Sequence, residues 1–309
     1  MRVYKTNRLL YYLKGYLRPL IPAASFDKKI HELSGKLSRE DMKSVEFRVD
    51  YYCKFSTQTM LKGNQTIQDL KTPVSPKSYY FDTYEYARYF DHSRLIDYTF
   101  GDVNVQLDHP AITKSRPVVS GNNNNILLKL DKVRHFVRVE DTKPYKAKKD
   151  LLVGRGNITQ PHRVKFYRLY YDHPLCDLGQ TNRDGNNPQW IKPKMPLEDH
   201  LNYKFILSLE GNDVATNLKW IMSSNSAAVA INPKIESWYM EGTLLPNVHY
   251  IAIKDDYSDL PTQLQYYIDH PKEAREIIEN AKVYRSQFDN RARESLISLL
   301  VLKKYLSSF

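Results

Sequence analysis

The chain has 309 residues with 41% apolar content, which is enough to bury one large core or two smaller ones. Its two cysteines, Cys53 and Cys176, have no CxxC spacing, so they exclude a zinc knuckle and a disulfide framework and fit a reducing compartment. The net charge of +11 indicates anionic partners. Because the excess charge is dispersed and no nucleic-acid-binding motif is present, we predict no nucleic acid partner.

The N-terminal segment begins basic but lacks the continuous apolar core of a signal peptide. No apolar run reaches the length of about 18 residues that a membrane span needs, and we therefore expect a cytoplasmic protein. Within residues 2–18, Arg and Lys alternate with Leu and Tyr. As a helix this segment is basic and amphipathic. Two settings remain open for it: the surface of an anionic membrane, or its own domain with a solvated basic face.

Sequence patterns in the first half of the chain predict mostly helix. We predict helices over residues 1–45, broken at Pro19 and Pro22, and over the aromatic-rich residues 79–98. A short strand within residues 96–105 ends in an acidic loop. The charged stretch 140–150, EDTKPYKAKKD, is the predicted linker.

The second half of the chain alternates strands with helices. Strands are predicted at 151–153, 205–209, 227–231 and 250–253. Helices are predicted at 214–222, 260–269, 271–288 and 289–309, and a long loop at 179–196. This alternation predicts an α/β fold with a parallel sheet, whose ligands bind at the carboxyl ends of the strands.

The segment 204–226, KFILSLEGNDVATNLKWIMSSNS, combines a strand, a glycine turn and a helix start. Free backbone N–H groups at such a helix start attract phosphate, and Gly211 permits close approach of a ligand. Asn212 or Asp213 is the predicted cap, and Lys219 adds a positive charge about one turn into the helix. The pattern suits a nucleotide-sugar diphosphate, although an ordinary strand–turn–helix crossover produces it too.

Several pieces of the chain carry a resemblance to a known family. They are KSRPVVSGNNNNILLKLDKVRHF, LLVGRGNITQPHR, HPLCDLG, YKFILSLEGNDVATNLKW, SSNSAAVAINPKIESWYMEG and LPNVHYIAIKDDYSDL. Together they resemble glycosyltransferase family 90. This family contains protein O-glucosyltransferases, fungal capsule-associated xylosyltransferases and bacterial lipopolysaccharide-core glycosyltransferases, and the compact bacterial members are the most similar.

The resemblance implies a GT-B-like fold, in which two Rossmann-like domains face each other across a donor cleft. On this basis we predict an N-terminal acceptor-side domain over residues 1–145 and a nucleotide-sugar-binding domain over 146–288. The final helix, 289–309, has apolar residues on more than one face. We therefore expect it to be buried and to pack back on the first domain.

The resemblance also implies the reaction, an inverting transfer of a hexose from a UDP-sugar to a glycan. A carboxylate must then take the proton of the acceptor hydroxyl. Asp102 in YTFGD occupies the place of the family's catalytic aspartate after a short strand, and Asp108 in LDHP is the second candidate. Without the resemblance, a loop aspartate of this kind is usually a cap or a turn former.

Two arginines are predicted to neutralise the diphosphate of the donor. Arg155 follows a strand directly, between Gly154 and Gly156, where the family carries an aromatic–Arg–Gly sequence. Gly154 replaces the aromatic residue, which removes a ring that would stack on the ligand. Arg163 in QPHR is the second candidate. The alternative role for Arg155 is a surface salt bridge.

Further donor contacts are assigned through the resemblance. Glu210 can bind ribose hydroxyls, Asn217 stands where many relatives carry an arginine, and Trp238 offers a stacking ring unless it lies in the core. The predicted binding set is Lys114, Arg116, Arg155, Gly156, Arg163, Glu210, Gly211, Asn212, Asp213, Val214, Ala215, Thr216, Asn217, Lys219, Trp238 and Glu241.

No metal or other cofactor is expected, because Asp255 and Asp256 are adjacent and point in different directions, and because the GT-B resemblance implies metal independence. The predicted acceptor is inner-core lipopolysaccharide at the inner face of the cytoplasmic membrane, where the protein is peripheral. Phosphates on donor and acceptor then account for the positive charge. Two alternatives remain: transfer to a capsule or other surface glycan, and a non-catalytic membrane-surface binding protein on the same fold.

Overall fold

The computed structural model describes residues 1–54, 61–184 and 187–308. Its helices are α1 Arg8–Leu17, α2 Phe26–Ser34, α3 Arg39–Tyr52, α4 Lys77–Ala87, α5 Lys132–His135, α6 Pro161–Tyr170, α7 Leu197–His200, α8 Leu218–Ile221, α9 Leu260–Asp269, α10 Pro271–Ser286 and α11 Arg291–Leu306. Short 3-10 helices span Arg18–Leu20, Ile67–Lys71, Tyr145–Ala147, Pro188–Trp190 and Glu241–Thr243. None of the helices in these described ranges is long and apolar enough to cross a membrane.

The strands are short. They are β1 Arg2–Tyr4, β2 Tyr98–Thr99, β3 Ala111–Thr113, β4 Ser115–Pro117, β5 Asn125–Leu127, β6 Arg138–Glu140, β7 Lys149–Gly156, β8 Cys176–Gln180, β9 Tyr203–Leu207, β10 Ala227–Ala230, β11 Ile235–Ser237 and β12 Ile251–Ala252.

Backbone contacts divide the chain into two compact units, each built from segments that are distant in sequence. The sheet unit consists of Met1–Lys5, Phe136–Pro233 and Thr243–Ser286. The helical unit consists of Thr6–His135, Lys234–Gly242 and Gln287–Phe309. These bounds differ from the predicted domains 1–145, 146–288 and 289–309, because the first residues belong with the second half of the chain and the last helix belongs with the first half.

A five-stranded sheet forms the centre of the sheet unit, in the order β12-β10-β9-β7-β8. All four pairings are parallel, which confirms the predicted α/β class. Helices α6, α9 and α10 lie against the sheet. The core between them contains Phe166, Phe205, Val229, Ile251 and Leu264, all fully buried. Removal of this apolar surface from water is the main stabilising contribution to such a layered fold.

Gly154 lies inside β7, and the side chains of Leu178 and Leu207 fill the space that a side chain at this position would occupy. A Cβ built at this position would lie 2.9 Å from the Leu178 side chain and 3.1 Å from that of Leu207. Leu178 belongs to β8 and Leu207 ends β9, so side chains from both neighbouring strands meet over this glycine. The packing explains why a ring is missing where the family resemblance places one.

The predicted linker, 140–150, is wrong, because this stretch lies inside the sheet unit. Glu140 ends β6, which pairs with β1. The Lys148 ammonium is buried and donates to Asp141 Oδ2 (2.7 Å), Leu201 O (2.5 Å) and Ser226 Oγ (3.0 Å). The charged composition of this stretch predicted that it is exposed to solvent. Lys148 and Asp141 instead form a buried ion pair.

In the helical unit, α11 lies against α2, α3 and α4, and a small parallel sheet has the order β2-β3-β5. Strands β4 and β11 form a separate antiparallel pair. The predicted final helix is present as α11, and its apolar residues are buried on several faces, as predicted: Leu296, Ile297, Leu299, Val301 and Leu302. The predicted helix over 79–98 is shorter, since α4 ends at Ala87.

A buried ion network joins α3, α11 and the loop after β11. The Glu294 carboxylate accepts hydrogen bonds from Arg48 Nη1 (2.5 Å), Lys129 Nζ (2.8 Å) and Trp238 Nε1 (2.6 Å). Burial alone would raise the pKa of Glu294, but Lys129 and Arg48 hold it below its ordinary value. The network is thus charged inside the core, and each member depends on the others.

Replacement of Glu294 by glutamine is expected to destabilise the protein by about 3–5 kcal/mol, because Arg48 and Lys129 remain buried without their carboxylate. Urea unfolding followed by circular dichroism measures the change. The matched control is Glu46→Gln, since Glu46 is exposed on α3. Equal unfolding midpoints for the two variants would contradict this account of the network.

Candidate active site

Two neighbouring strands of the five-stranded sheet end at a topological switch point. β8 lies on one side of β7 and β9 on the other, so the order of the chain across the sheet reverses there. Ligands of open parallel sheets bind outside the carboxyl ends of the strands at such a point. Arg155 and Gly156 end β7, and the turn 208–217 follows β9. The predicted donor segments therefore meet at one edge of the sheet.

Arg163, in the first turn of α6, joins the two loops of this crevice. Its guanidinium donates to the carbonyl oxygens of Asn157 (2.8 Å), Leu209 (2.8 Å) and Glu210 (2.8 Å). Of the roughly five N–H donors of a guanidinium, these bonds occupy three, which leaves a donor on each terminal nitrogen. Arg163 is thus both a clamp for the loops and a source of hydrogen bonds for an anion.

Two glycines put no side chain over these terminal nitrogens. A Cβ built at Gly156 would lie 3.9 Å from Nη1 of Arg163, and one built at Gly211 would lie 3.5 Å from Nη2. His162, whose role the sequence did not reveal, places Nε2 at 2.9 Å from Glu210 O and supports the same turn. The QPHR sequence could have identified His162, since His162 and Arg163 are neighbours in the first turn of one helix and both contact Glu210 O.

The turn after β9 differs from its predicted form. The predicted helix 214–222 is wrong, because only α8, Leu218–Ile221, is helical. The residue before α8 is Asn217 rather than either predicted cap, and its side-chain amide donates to Leu207 O (2.8 Å). This bond connects the turn to the end of β9, and the chain before Leu218 follows it instead of forming helical hydrogen bonds. A helix of one turn has too few aligned peptide dipoles to act as the predicted phosphate site.

The predicted binding residues of this segment divide by exposure. The residues that are at least partly exposed are Glu210, Gly211, Asn212, Thr216 and Asn217. The buried residues are Asp213, Val214, Ala215 and Lys219. The residues of the first group can therefore contact a ligand through their side chains more readily than the buried ones. The predicted contacts through backbone N–H groups stay predictions.

Arg155, the first candidate for the diphosphate, is engaged with Asp177. Its Nη2 lies 2.7 Å from Asp177 Oδ1, and its Nη1 donates to the backbone oxygen of the same residue (2.6 Å). Tyr203 and Lys192 also donate to this carboxylate (2.6 and 3.1 Å). Although burial alone would raise it, these donors lower the pKa of Asp177 to about 2. Arg155 therefore forms a salt bridge, which is the alternative role considered for it.

Asp102 follows β2 in the helical unit, and its side chain is 38% exposed. Lys114 Nζ donates to Asp102 Oδ1 (2.6 Å), although the Lys114 side chain is only 3% exposed. Gly101 has a φ of +117°, a value that favours glycine, and Ser115 Oγ bonds the backbone N–H of Val103 (3.2 Å). A buried ammonium thus lies within hydrogen-bond distance of a partly exposed carboxylate.

Besides Lys114, three further predicted binding residues are buried in the helical unit. Arg116 pairs with Glu236 (2.7 Å), and Glu241 accepts from the backbone N–H of Ser237 (2.7 Å). Trp238 belongs to the buried ion network. Their burial favours a structural role for all three, and for Trp238 it matches the core alternative.

Asp108, the second candidate for the base, lies on the surface of the helical unit. Lys62 Nζ (2.5 Å) and His109 Nδ1 (2.6 Å) contact its carboxylate and lower its pKa to about 2. Across residues 1–54, 61–184 and 187–308, no group of three or more His, Cys, Asp or Glu side chains is arranged to hold a metal. Independence from metal stays a prediction.

Comparisons with known proteins agree with the resemblance seen in the sequence. Residues 122–292 match the model of Glycosyl transferase family 90. The chain is 38% identical over 304 residues to the O-glucosyltransferase LpsA of Dichelobacter nodosus, an alignment that covers 97% of this chain and 96% of LpsA. It is 27% identical over 153 residues to human Protein O-glucosyltransferase 1, covering 46% of this chain and 38% of the human protein.

A stability measurement at two pH values tests the ion pair at Asp177. Since its pKa is about 2 in the folded protein and ordinarily 3.8, its stabilising contribution is present above pH 4 and is lost as pH falls toward 2. We expect Asp177→Asn to lower the free energy of unfolding at pH 6, and the difference from the unsubstituted protein to shrink at pH 3.

Urea unfolding at both pH values measures this difference, with Asp172→Asn as the control because Asp172 is exposed in the same unit. A difference that stays constant between the two pH values would show that Asp177 is not the titrating partner of Arg155.

Proposed function

The chain belongs to Glycosyl transferase family 90, and from that premise we propose that it is an inverting enzyme that transfers a hexose from a UDP-sugar to a glycan. The proposal is supported by Arg163, whose partly exposed side chain lies at the switch point of the parallel sheet with Gly156 and Gly211 beside its terminal nitrogens. Because LpsA and its human relative are named O-glucosyltransferases, UDP-glucose is the first donor to test.

In the proposed mechanism, the diphosphate of the donor binds beside Arg163, between Gly156 and Gly211. The two remaining N–H donors of the guanidinium bind phosphate oxygens and stabilise the negative charge that grows on UDP as it leaves. Arg155 contributes by bracing the ends of β7 and β8, since its guanidinium is paired with the Asp177 carboxylate and both hydrogens of its Nη1 bond backbone oxygens. Glu210, partly exposed in the same turn, is the proposed partner of the ribose hydroxyls.

Asp102 is the proposed base that takes the proton of the acceptor hydroxyl as that oxygen attacks the sugar. The buried Lys114 donates to its Oδ1, and its side chain is 38% exposed, which supports contact with an acceptor hydroxyl. Asp102 and the donor crevice belong to different compact units. A GT-B arrangement, as the family resemblance implies, is part of this proposal, as is a reaction without metal.

The proposed acceptor is inner-core lipopolysaccharide, and the proposed place of reaction is the inner face of the cytoplasmic membrane, where the protein is peripheral. The net charge of +11 supports this choice, because the inner core and its membrane both carry phosphates. A capsule or another surface glycan is the alternative acceptor.

The donor class is tested by thermal unfolding of the purified protein with UDP, UDP-glucose, UDP-galactose and other nucleotides. A ligand that binds only the folded protein raises the melting temperature, so we expect shifts with UDP and with one UDP-sugar. Arg163→Ala should abolish the shift, whereas Arg168→Ala, an exposed arginine on the same helix, should retain it. No shift with any nucleotide at about millimolar concentration would contradict the proposed donor.

The identity of the base is tested by comparing Asp102→Asn with Asp108→Asn. We expect Asp102→Asn to reduce sugar transfer at least about a hundredfold, because an amide cannot accept the proton, while UDP still raises the melting temperature. Asp108→Asn should transfer at a rate close to that of the unsubstituted protein. The reverse result would assign the base to Asp108, and equal activity of both variants would refute both assignments.

A further inference from the structure

The outward face of α1 is apolar, which reverses the usual arrangement of a helix that packs on its own domain. Leu9 is 82% exposed, Leu13 is 52% exposed, and Leu20, in the 3-10 turn that follows, is 77% exposed. At about 100° per residue, these side chains share one arc with further exposed apolar residues. The others are Leu10, Tyr16 and Leu17, and Ile21 extends the patch. We call this surface the α1 arc.

The inward face of α1 is fixed to α4. Tyr11 donates its hydroxyl hydrogen to Asp82 Oδ1 (2.8 Å), a carboxylate that is itself buried. Gly15 lies against Phe81 so closely that a Cβ built on the glycine would come within 2.6 Å of the ring. The α1 arc is therefore a surface of the folded helical unit rather than a property of a loosely attached segment.

Cations stand at both edges of the α1 arc. Lys14 is exposed at one edge, and within the described ranges its side chain has no hydrogen bond or ion pair. Lys77 reaches the opposite edge, where its Nζ donates to Tyr16 Oη (2.7 Å) and lies 5.3 Å from the centre of that ring. Tyrosine and lysine at the border of an apolar face are typical of the boundary between acyl chains and lipid headgroups.

A cavity of about 370 Å³ beside the same helix is lined by more cations than carboxylates, although Arg18 and Lys132 pair with Glu85 and Lys129 pairs with Glu294. Two carboxylates line it, Glu85 and Glu294, and they are outnumbered by cations. The cations are Lys14, Arg18, Lys129, Lys132 and Arg291. The apolar arc and this basic cavity share residues of α1, so one element presents both an apolar surface and an excess of positive charge.

We infer that the α1 arc docks the protein on an anionic lipid bilayer. The leucines enter the boundary between headgroups and acyl chains, and Lys14 and Lys77 face the lipid phosphates. A second copy of the chain is a poorer occupant, because pairing two arcs would bring like-charged edges together in a protein of net charge +11. The inference rests on the proposed function, because docking on a membrane would bring the enzyme to its proposed lipid-linked acceptor.

Co-sedimentation with vesicles tests the inference. We expect the protein to bind vesicles of mixed phosphatidylcholine and phosphatidylglycerol, to bind pure phosphatidylcholine more weakly, and to lose affinity between about 0.1 M and 0.5 M NaCl. Leu9→Glu/Leu13→Glu should weaken binding at least about tenfold, since it places carboxylates in the apolar contact. The matched control is Leu169→Glu/Val283→Glu, which changes exposed apolar residues of α6 and α10 in the sheet unit.

The charge contribution is tested with Lys14→Glu against Lys272→Glu, an exposed lysine of α10. The first should weaken binding to anionic vesicles more than the second. Equal binding by the arc variant and its control would overturn the inference. So would a dimer in solution that Leu9→Glu/Leu13→Glu dissociates while vesicles bind no protein.

The melting-temperature shift with UDP, measured without lipid on the same variants, separates this inference from the proposed function. We expect the arc variants to keep the shift, because their substitutions lie in the other compact unit from Arg163. Loss of vesicle binding with a retained shift supports docking through α1. Vesicle binding that survives in a protein with no UDP shift would contradict the proposed donor and leave the docking inference standing.

Discussion

The Arg163 guanidinium binds backbone oxygens from two loops that are far apart in sequence, and the shape of the proposed donor crevice depends on those bonds. Backbone carbonyls at the ends of strands must be satisfied when the surrounding chain is partly buried. Here one side chain satisfies three of them, and each of its terminal nitrogens keeps one further N–H donor. Under the proposed function the same group shapes the site and binds the donor, so the stability of the loops and the affinity for the donor would depend on one residue.

In the helical unit, the proposed base Asp102 is a partly exposed carboxylate that pairs with a buried cation. Lys114 is buried and fixed, and Asp102 reaches out from a glycine turn to meet it. Further inside, Arg116 and Glu294 belong to separate buried ion pairs. Buried charges of this kind contribute little net stability, but an unpaired one is costly, so they favour a single arrangement of the surrounding chain.

Local patterns predicted most of the elements, because strand and helix periodicity is a property of neighbouring residues. The parallel sheet, α9, α10 and α11 follow from it. The turn after β9 did not, since the Asn217 amide bonds Leu207 and stops the helix from extending toward the strand. The prediction of a linker at the charged stretch that includes Lys148 was also wrong. The partners of the Lys148 ammonium, Leu201 and Ser226, lie far along the chain and are not visible in a local pattern.

The site residues show the same division. Pattern and resemblance identified Arg163 and Asp102 as candidates, but they could not rank Arg163 above Arg155, because Asp177 becomes a neighbour only when β7 and β8 pair. Likewise, Arg116 is buried through the pairing of β4 with β11, which places Glu236 opposite it. Exposure is a property of the assembled fold, and it decided which predicted contacts remain open to a ligand.

The close packing at Gly154 couples three positions in the evolution of this chain. Leu178 and Leu207 occupy the volume that any larger residue at position 154 would require. A variant with an aromatic residue there would need smaller residues at both leucine positions, and a smaller residue at either leucine alone would leave a void over the glycine. The sheet therefore resists stepwise substitution at these sites, and a change in one strand passes through an unstable intermediate unless its neighbours change with it.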